Sequence, residues 1–282
     1  MIIKGKIKNL IKSIIMTSRE KTIIPIVHPI DNNKILLNKV ALIAGGTGGI
    51  GLAIVKSFVE SGCKVILAGT NEKKINRCIN QIEDCYASNI KAFILNLGDI
   101  QSFDEKIKEA SDLFGRIDIF VNAAGVHTDN VDFWGMVPEE YERVMNINLK
   151  GPFFICQSIG KYMKEKKIKG HILLISSSRG SEPAWSPYGI SKWGLNGLTL
   201  GLAKMMLPYG IIVNAIAPGS TATDLLDVKE GDSIYSIENG LERYAMPDEI
   251  ASYAKLMVSD VGNMIVGETI RISGGRGTID LR

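Results

Sequence analysis

The chain has 282 residues, of which 45% are hydrophobic and 22% charged. That balance excludes disorder over most of its length and supplies material for a large core. The net charge of +3 is too small to imply nucleic acid as a partner. It is also unevenly spread. Residues 1–39 hold eight basic and two acidic groups, +6 in all, which leaves −3 on the remaining 243.

Residues 1–36 read as an extension ahead of a body that spans 37–282. Ile3, Ile7, Leu10, Ile11, Ile14 and Ile15 recur at helical spacing, with Lys4, Lys6, Lys8 and Lys12 mostly elsewhere, which is the pattern of a basic amphipathic helix. Such a face packs on protein, or lies on an acidic membrane surface as a peripheral contact through residues 1–18. A disordered tail or an organelle presequence is the other reading. Lys8 and Lys12 break the apolar stretch, so it makes a poor secretory signal. No apolar run reaches the roughly 18 residues that span a bilayer. Cys63, Cys78, Cys85 and Cys156 lack C-x-x-C spacing, and His28, His127 and His171 are scattered. Neither a disulfide framework nor a metal site is expected, and a cytoplasmic location suits the pattern.

From Lys39 onward, short Val/Ile/Leu-rich runs alternate with helix-length segments. The runs are Val40–Ala44, Val65–Ala68, Ala92–Leu95, Ile117–Asn122, His171–Ser176, Ile211–Ile216 and Thr269–Ile272. Their lack of polar alternation predicts strands covered on both faces, as in a parallel sheet. The helical segments are Gly51–Ser61, Ser102–Phe114, Pro138–Lys164, Ser191–Pro208 and Pro247–Val258. The alternation predicts a single doubly wound α/β domain: a parallel seven-stranded sheet with helices on both faces. The stretch Thr221–Tyr244 is the longest without a strand between confident elements, and is a candidate mobile substrate loop.

The first strand runs into Gly45-Gly46-Thr47-Gly48-Gly49-Ile50-Gly51 and then a helix. A glycine-rich turn from strand into helix gathers free backbone N–H groups and the positive helix end at one point, as a pyrophosphate requires. Tyr188 and Lys192 are four residues apart and so share a helix face. A neighbouring ammonium group favours phenolate, which would lower the phenol pKa and tune it for proton transfer.

Gly45, Gly49 and Gly51 have the T-G-x-x-x-G-x-G spacing of the short-chain dehydrogenase/reductase family, with Ala44 at the Thr position. The resemblance extends from Leu37 to about Gly277. Asn122-Ala123-Ala124-Gly125 resembles the family's N-N-A-G, and Asn148 its helix asparagine. Ser177 matches its catalytic serine, with Ser176 and Ser178 as neighbours one position away. Tyr188 and Lys192 match Y-x-x-x-K, and Asn214 through Pro218, Gly219 and Thr223 matches N-x-x-x-P-G-x-x-x-T.

The resemblance implies a Rossmann domain and hydride transfer between a nicotinamide and a carbonyl/alcohol pair. It implies Asn148, Ser177, Tyr188 and Lys192 as the catalytic set. It implies cofactor contacts from Gly45, Thr47, Gly48, Gly49, Ile50 and Gly51, and from Asn96 and Leu97 at the adenine. Asn122, Ala123, Ala124, Gly125, Tyr188, Lys192, Pro218, Gly219, Thr221 and Thr223 would complete the cofactor groove. It further implies a homotetramer or homodimer built on Pro138–Lys164 and Ser191–Pro208, with Leu198, Leu202 and Met206 either in that interface or against the sheet. The family's NAD-type Asp would fall at Gly69 and is missing. An acid there would repel a 2′-phosphate, so NADP is the preferred cofactor and NAD the alternative, with Thr70, Asn71 and Lys73 or Lys74 as phosphate donors.

The substrate is a small carbonyl or alcohol: a sugar, a polyol, a 3-oxoacyl thioester or a steroid-like ketone. Phe133, Trp134 and Trp185 either shape its pocket or join the core. Arg179 and Glu182 either read a polar substrate or are solvated. The rival readings are a catalytically silent, redox-sensing nucleotide binder and a scaffold recruited to membranes by the basic N-terminus.

Overall fold

The computed structural model describes residues 34–129, 131–223 and 233–278. The N-terminal amphipathic segment and its membrane contact lie outside the described residues, as does part of the expected substrate loop. Leu36, assigned from sequence to the extension, is fully buried, and its N–H donates to the Ser61 carbonyl.

Seven strands form one parallel sheet: β1 (Val40–Ala44), β2 (Lys64–Gly69), β3 (Ile90–Ile94), β4 (Ile119–Asn122), β5 (His171–Ile175), β6 (Ile212–Pro218) and β7 (Thr269–Ile272). Their spatial order is β3-β2-β1-β4-β5-β6-β7. The helices are α1 (Gly49–Glu60), α2 (Glu72–Ile79), α3 (Phe103–Phe114), α4 (Pro138–Met145), α5 (Gly151–Glu165), α6 (Pro187–Met206) and α7 (Pro247–Met257).

The apolar runs behave as strands covered on both sides. Along β1, Val40, Leu42 and Ala44 pack into one core with α3, α5 and α6. Ala41 and Ile43 face the other core, built with α1, α2 and α7. Each fully buried aliphatic or Phe side chain contributes about 1.5–3 kcal/mol relative to exposure, so this double-sided burial fixes strand register. The strands all run parallel, but their order reverses between β1 and β4, and in such sheets ligands bind outside the carboxyl ends of the strands at that switch point.

Two elements differ from the sequence reading. Helix α2 was not expected; of its EKKINRCI, Ile75, Cys78 and Ile79 turn to the core, a stripe confined to little more than one turn. The expected single helix Pro138–Lys164 is interrupted by a π turn at Asn146–Lys150. Pro152 lacks the N–H that an α-helix would bring to the Asn148 carbonyl, and its ring would crowd that oxygen.

Candidate active site

The glycine turn leaves β1 at the switch point. Gly45 has φ +74°, and a Cβ there would collide with the Ala124 nitrogen, so β4's exit passes directly beside the turn. A Cβ on Gly51 would meet the Gly45 carbonyl oxygen. On Gly49 it would meet Thr223, 2.5 Å from its methyl carbon. Gly48 caps α1 with no side-chain hydrogen bond, and Leu52 N–H donates to the Gly48 carbonyl at 2.7 Å. The first-turn N–H groups of α1, beside Thr47 and Ile50, therefore face a cradle without side chains, which suits a pyrophosphate.

The other expected contacts fall on the same crest. Thr70 and Asn71 follow β2, where the Asn71 side-chain oxygen accepts from Lys74 N–H at 2.9 Å and caps α2. Its oxygen is thus committed to the helix, leaving the amide NH2 as its free donor. The position above Gly69 is bounded by Thr47. After β3, Asn96 Oδ1 accepts from Gly98 N–H at 2.9 Å, and Leu97 is buried. After β4, Asn122 is buried and accepts weakly from Ala124 N–H at 3.3 Å, while Ala123 N–H donates to the Ala44 carbonyl. Gly125 separates Asn148 from Lys192: a Cβ there would lie 3.5 Å from Asn148 Oδ1 and 3.6 Å from Lys192 Nζ.

A cleft of about 540 Å³ opens beside this crest. Ile50, Ser177, Tyr188, Pro218, Gly219, Thr221 and Thr223 line it, together with His127, Thr128, Asp129, Trp185, Glu238 and Arg276. The structure thus brings Ser177 and Tyr188 together with the end of β6. Pro187 starts α6, with the Ser186 hydroxyl accepting from Gly189 N–H at 3.2 Å, so Tyr188 sits in the first helical turn.

Of the three serines after β5, Ser177 lies beside the phenol, and its hydroxyl accepts from Arg179 N–H. Ser176 instead donates to Asn196 Oδ1 at 2.6 Å. One turn along α6 from Tyr188, Lys192 is buried and donates to the Ile175 carbonyl at 3.0 Å, with Nζ 5.6 Å from the Tyr188 ring centroid. Asn148, fully buried, clamps Val126: its Oδ1 accepts from Val126 N–H and its Nδ2 donates to the Val126 carbonyl, both at 2.8 Å.

The electrostatics correct one expectation. Burial pushes the Tyr188 phenol above its ordinary pKa, and the nearby Ser177 hydroxyl, Arg179 and Arg276 offset only part of that. Lys192 does not dominate the phenol, because burial pushes the amine itself down to about 8.

Phe133 and Trp134 are 59% and 89% exposed and stack edge-to-face on each other, in neither pocket nor core; Trp185 lines the cleft. Arg179 and Glu182 pair at 2.9 Å, and Glu182 also accepts from Arg276 at 2.8 Å. Arg276 is a cleft residue that sequence reasoning missed, and His127 lies in the segment after Ala124, expected from sequence to line the pocket, but was not itself singled out. Neither belongs to a motif, and only the fold brings the C-terminal turn and the loop after β4 to one place. Leu198, Leu202 and Met206 are partly buried and pack against the core.

Comparison with known proteins agrees with this geometry. The short chain dehydrogenase family profile matches residues 39–233. A 3alpha-hydroxysteroid dehydrogenase of Mediterraneibacter gnavus is 33% identical over 85% of this chain and 97% of its own. The 3-oxoacyl-(acyl-carrier-protein) reductase FabG of Aquifex aeolicus is 34% identical over 85% of this chain and 98% of its own. The crystal structure of a 3-ketoacyl-(acyl-carrier-protein) reductase from Brucella melitensis complexed with NADH superposes with a TM-score of 0.76. It is 27% identical and covers 86% of this chain and 99% of that one. The chain belongs to the short chain dehydrogenase family and is a nicotinamide-dependent oxidoreductase of the carbonyl/alcohol class.

Proposed function

We propose that Tyr188 is the proton donor and acceptor of the reaction and that Ser177 holds the substrate oxygen. The observation that carries this reading is the phenol lining the cleft beside Ser177, with Lys192 one helical turn away. In reduction, the phenol gives its proton to the substrate oxygen as negative charge develops there; in oxidation, the phenolate takes the proton of the alcohol. The nicotinamide supplies or accepts the hydride. A raised phenol pKa keeps Tyr188 protonated near neutrality, which suits the reducing direction. Lys192 binds the nicotinamide ribose hydroxyls and returns protons to the phenol. Asn148 keeps a water beside Lys192. Its side chain is spent on Val126, so this task falls to its backbone carbonyl, whose α-helical donor position is occupied by Pro152, which has no N–H.

The proposed cofactor is NADP. Gly69 offers no acid to repel a 2′-phosphate, and Asn71, Lys73 and Lys74 stand exposed at the positive end of α2, with Glu72 the one acid of that first turn. Gly48, Gly49, Ile50 and Gly51 would hold the pyrophosphate, with Gly45 and Thr47 forming the turn beneath. Thr70 would serve the ribose, and Asn96 and Leu97 the adenine. Asn122, Ala123, Ala124 and Gly125 from one side, and Pro218, Gly219, Thr221 and Thr223 from the other, would hold the nicotinamide half.

Among substrates, the charged cleft wall of Asp129, Arg179, Glu238 and Arg276 favours a small polar ketone over a steroid nucleus. A 3-oxoacyl thioester is the substrate class we assign, supported by the relatives whose names give them 3-oxoacyl-(acyl-carrier-protein) or acetoacetyl-CoA reduction. A homodimer or homotetramer is supported by the outward face of α6, where Trp193 and Leu200 are exposed and Gly197 and Gly201 border open space. A cytoplasmic location is supported by four free cysteines. Among the described residues, no helix is long and apolar enough to cross a membrane. Residues 1–18 provide a peripheral membrane contact in this reading, and equal liposome binding by the full chain and a chain starting at Leu37 would remove it.

Initial rates on acetoacetyl-CoA, a ketose and a 3-ketosteroid, each with NADPH and NADH, test the assignment. Fastest turnover of acetoacetyl-CoA with NADPH is expected. A faster steroid ketone overturns the substrate class, and faster NADH turnover overturns the cofactor.

A further inference from the structure

The loop after β4 carries a side chain in the cleft that no motif assigns. The His127 ring lies 4.2 Å from the Tyr188 ring, centroid to centroid, with 23° between their planes. Among the described residues, it is the aromatic group stacked on that phenol.

The loop that carries His127 is held at every step. Its Val126 neighbour is clamped on both backbone groups by Asn148. The His127 carbonyl accepts from Arg143 at 2.9 Å, and Arg143 is itself fixed by a double hydrogen bond to Glu140. Asp129 N–H donates to Glu140 at 2.7 Å, and Tyr188 N–H donates to the Thr128 hydroxyl at 3.3 Å. The backbone that bears the imidazole is therefore tied both to α4 and to the first turn of α6.

Tyr188 needs such a support. In the first turn of α6 it has no preceding helical turn to pack against, and its ring torsion is soft. A reacting hydroxyl displaced by about 1 Å can lose on the order of 100-fold in rate. Burial and the nearby Lys192 and Arg179 cations also keep the imidazole neutral, so it meets the phenol as a flat aromatic surface.

We propose that His127 is a positioning residue for this reaction: it acts as a rigid aromatic platform that fixes the rotation of the Tyr188 ring and so aims the phenol at the substrate oxygen. The inference rests on the reading of Tyr188 as proton donor.

The test compares wild type, His127→Ala, His127→Phe and Tyr188→Phe for kcat and KM on acetoacetyl-CoA, or on whichever ketone of the panel the wild type reduces, and for NADPH affinity by fluorescence. His127→Ala should lose about tenfold in kcat, with KM and NADPH affinity within about threefold of wild type. His127→Phe, which keeps a flat ring, should recover kcat to within about threefold. Wild-type kcat in His127→Ala overturns the proposal. A His127→Phe enzyme as slow as His127→Ala also overturns it, because the polar edge and not the stacked face would then matter. If His127→Ala does not fold, the Phe variant decides alone, with wild-type kcat expected and a tenfold loss contradicting it. Turnover by Tyr188→Phe refutes the proton-donor reading itself, whereas a dead Tyr188→Phe beside a fully active His127→Ala refutes only the platform.

Discussion

Acid should destabilise this protein through one histidine remote from the cleft. His171 opens β5 at the amino end of the sheet, is 6% exposed, and has no hydrogen-bond partner for Nδ1 among the described residues. Burial, reinforced by the Lys39 cation, pushes its imidazole down to about 4, against weaker opposing effects of Asn263 and Asp260. In the unfolded chain the same group titrates near 6.5. Between those values the unfolded chain binds a proton that the native chain refuses. Stability is therefore unaffected by this group above about pH 6.5 and falls as pH drops towards 4. A difference of about 2.5 pH units at about 1.36 kcal/mol each gives roughly 3 kcal/mol. For a chain of this size that is about 6–12 °C in melting temperature.

The assay is thermal or urea unfolding of wild type and His171→Gln between about pH 7 and pH 4, within the window that the linkage sets. The variant lacks the titrating group, so its stability relative to wild type should improve by about 3 kcal/mol across that range, whatever its offset at neutral pH. Parallel curves for the two proteins would refute the burial argument.

Three further outcomes follow from the site. Gly51→Ala drives a Cβ into the Gly45 carbonyl and should weaken NADPH binding at least tenfold, measured by fluorescence titration. Gly69→Asp meets Thr47 at 3.2 Å and Ile75 at 3.4 Å, a fit that asks only a few tenths of an ångström. It should move the NADPH/NADH ratio of kcat/KM towards NADH by about tenfold or more, and an unchanged ratio would contradict the charge argument. Alcohol oxidation should rise with pH through and beyond the Lys192 value of about 8, while ketone reduction is level near neutrality, because the raised phenol pKa favours the protonated donor. Oxidation that peaks below pH 7 in a full pH–rate profile would contradict this order.

The sheet was legible because strands buried on both faces leave uninterrupted apolar runs; β1 and β7 match their expected limits residue for residue. Edge strand β3 begins at Ile90, two residues before its run, because Lys91 lies in it and faces solvent. Helix α2 was missed because it is only eight residues long, so its apolar stripe of Ile75, Cys78 and Ile79 fills little more than one turn. The π turn at Asn146–Lys150 was missed because the apolar spacing of Pro138–Lys164 does not report the α-helical hydrogen bond that Pro152 removes. The motif residues at the strand ends were legible through glycine spacing and the Tyr188–Lys192 interval. The direction of the phenol shift was not, since spacing reports the neighbouring amine but not the burial that outweighs it. Arg276 stayed hidden for a related reason, since it reaches the cleft by tertiary folding alone, and within the segment after Ala124 nothing local set His127 apart.

The most direct measurement of the central claim is a single-turnover experiment on Tyr188→Phe with NADPH bound and acetoacetyl-CoA added. Removing one hydroxyl leaves the ring, its stack on His127 and the glycine cradle in place. NADPH affinity should stay within about threefold of wild type, and nicotinamide oxidation should slow by at least about 100-fold, as loss of a general acid requires. Oxidation at the wild-type rate in that variant would contradict the account.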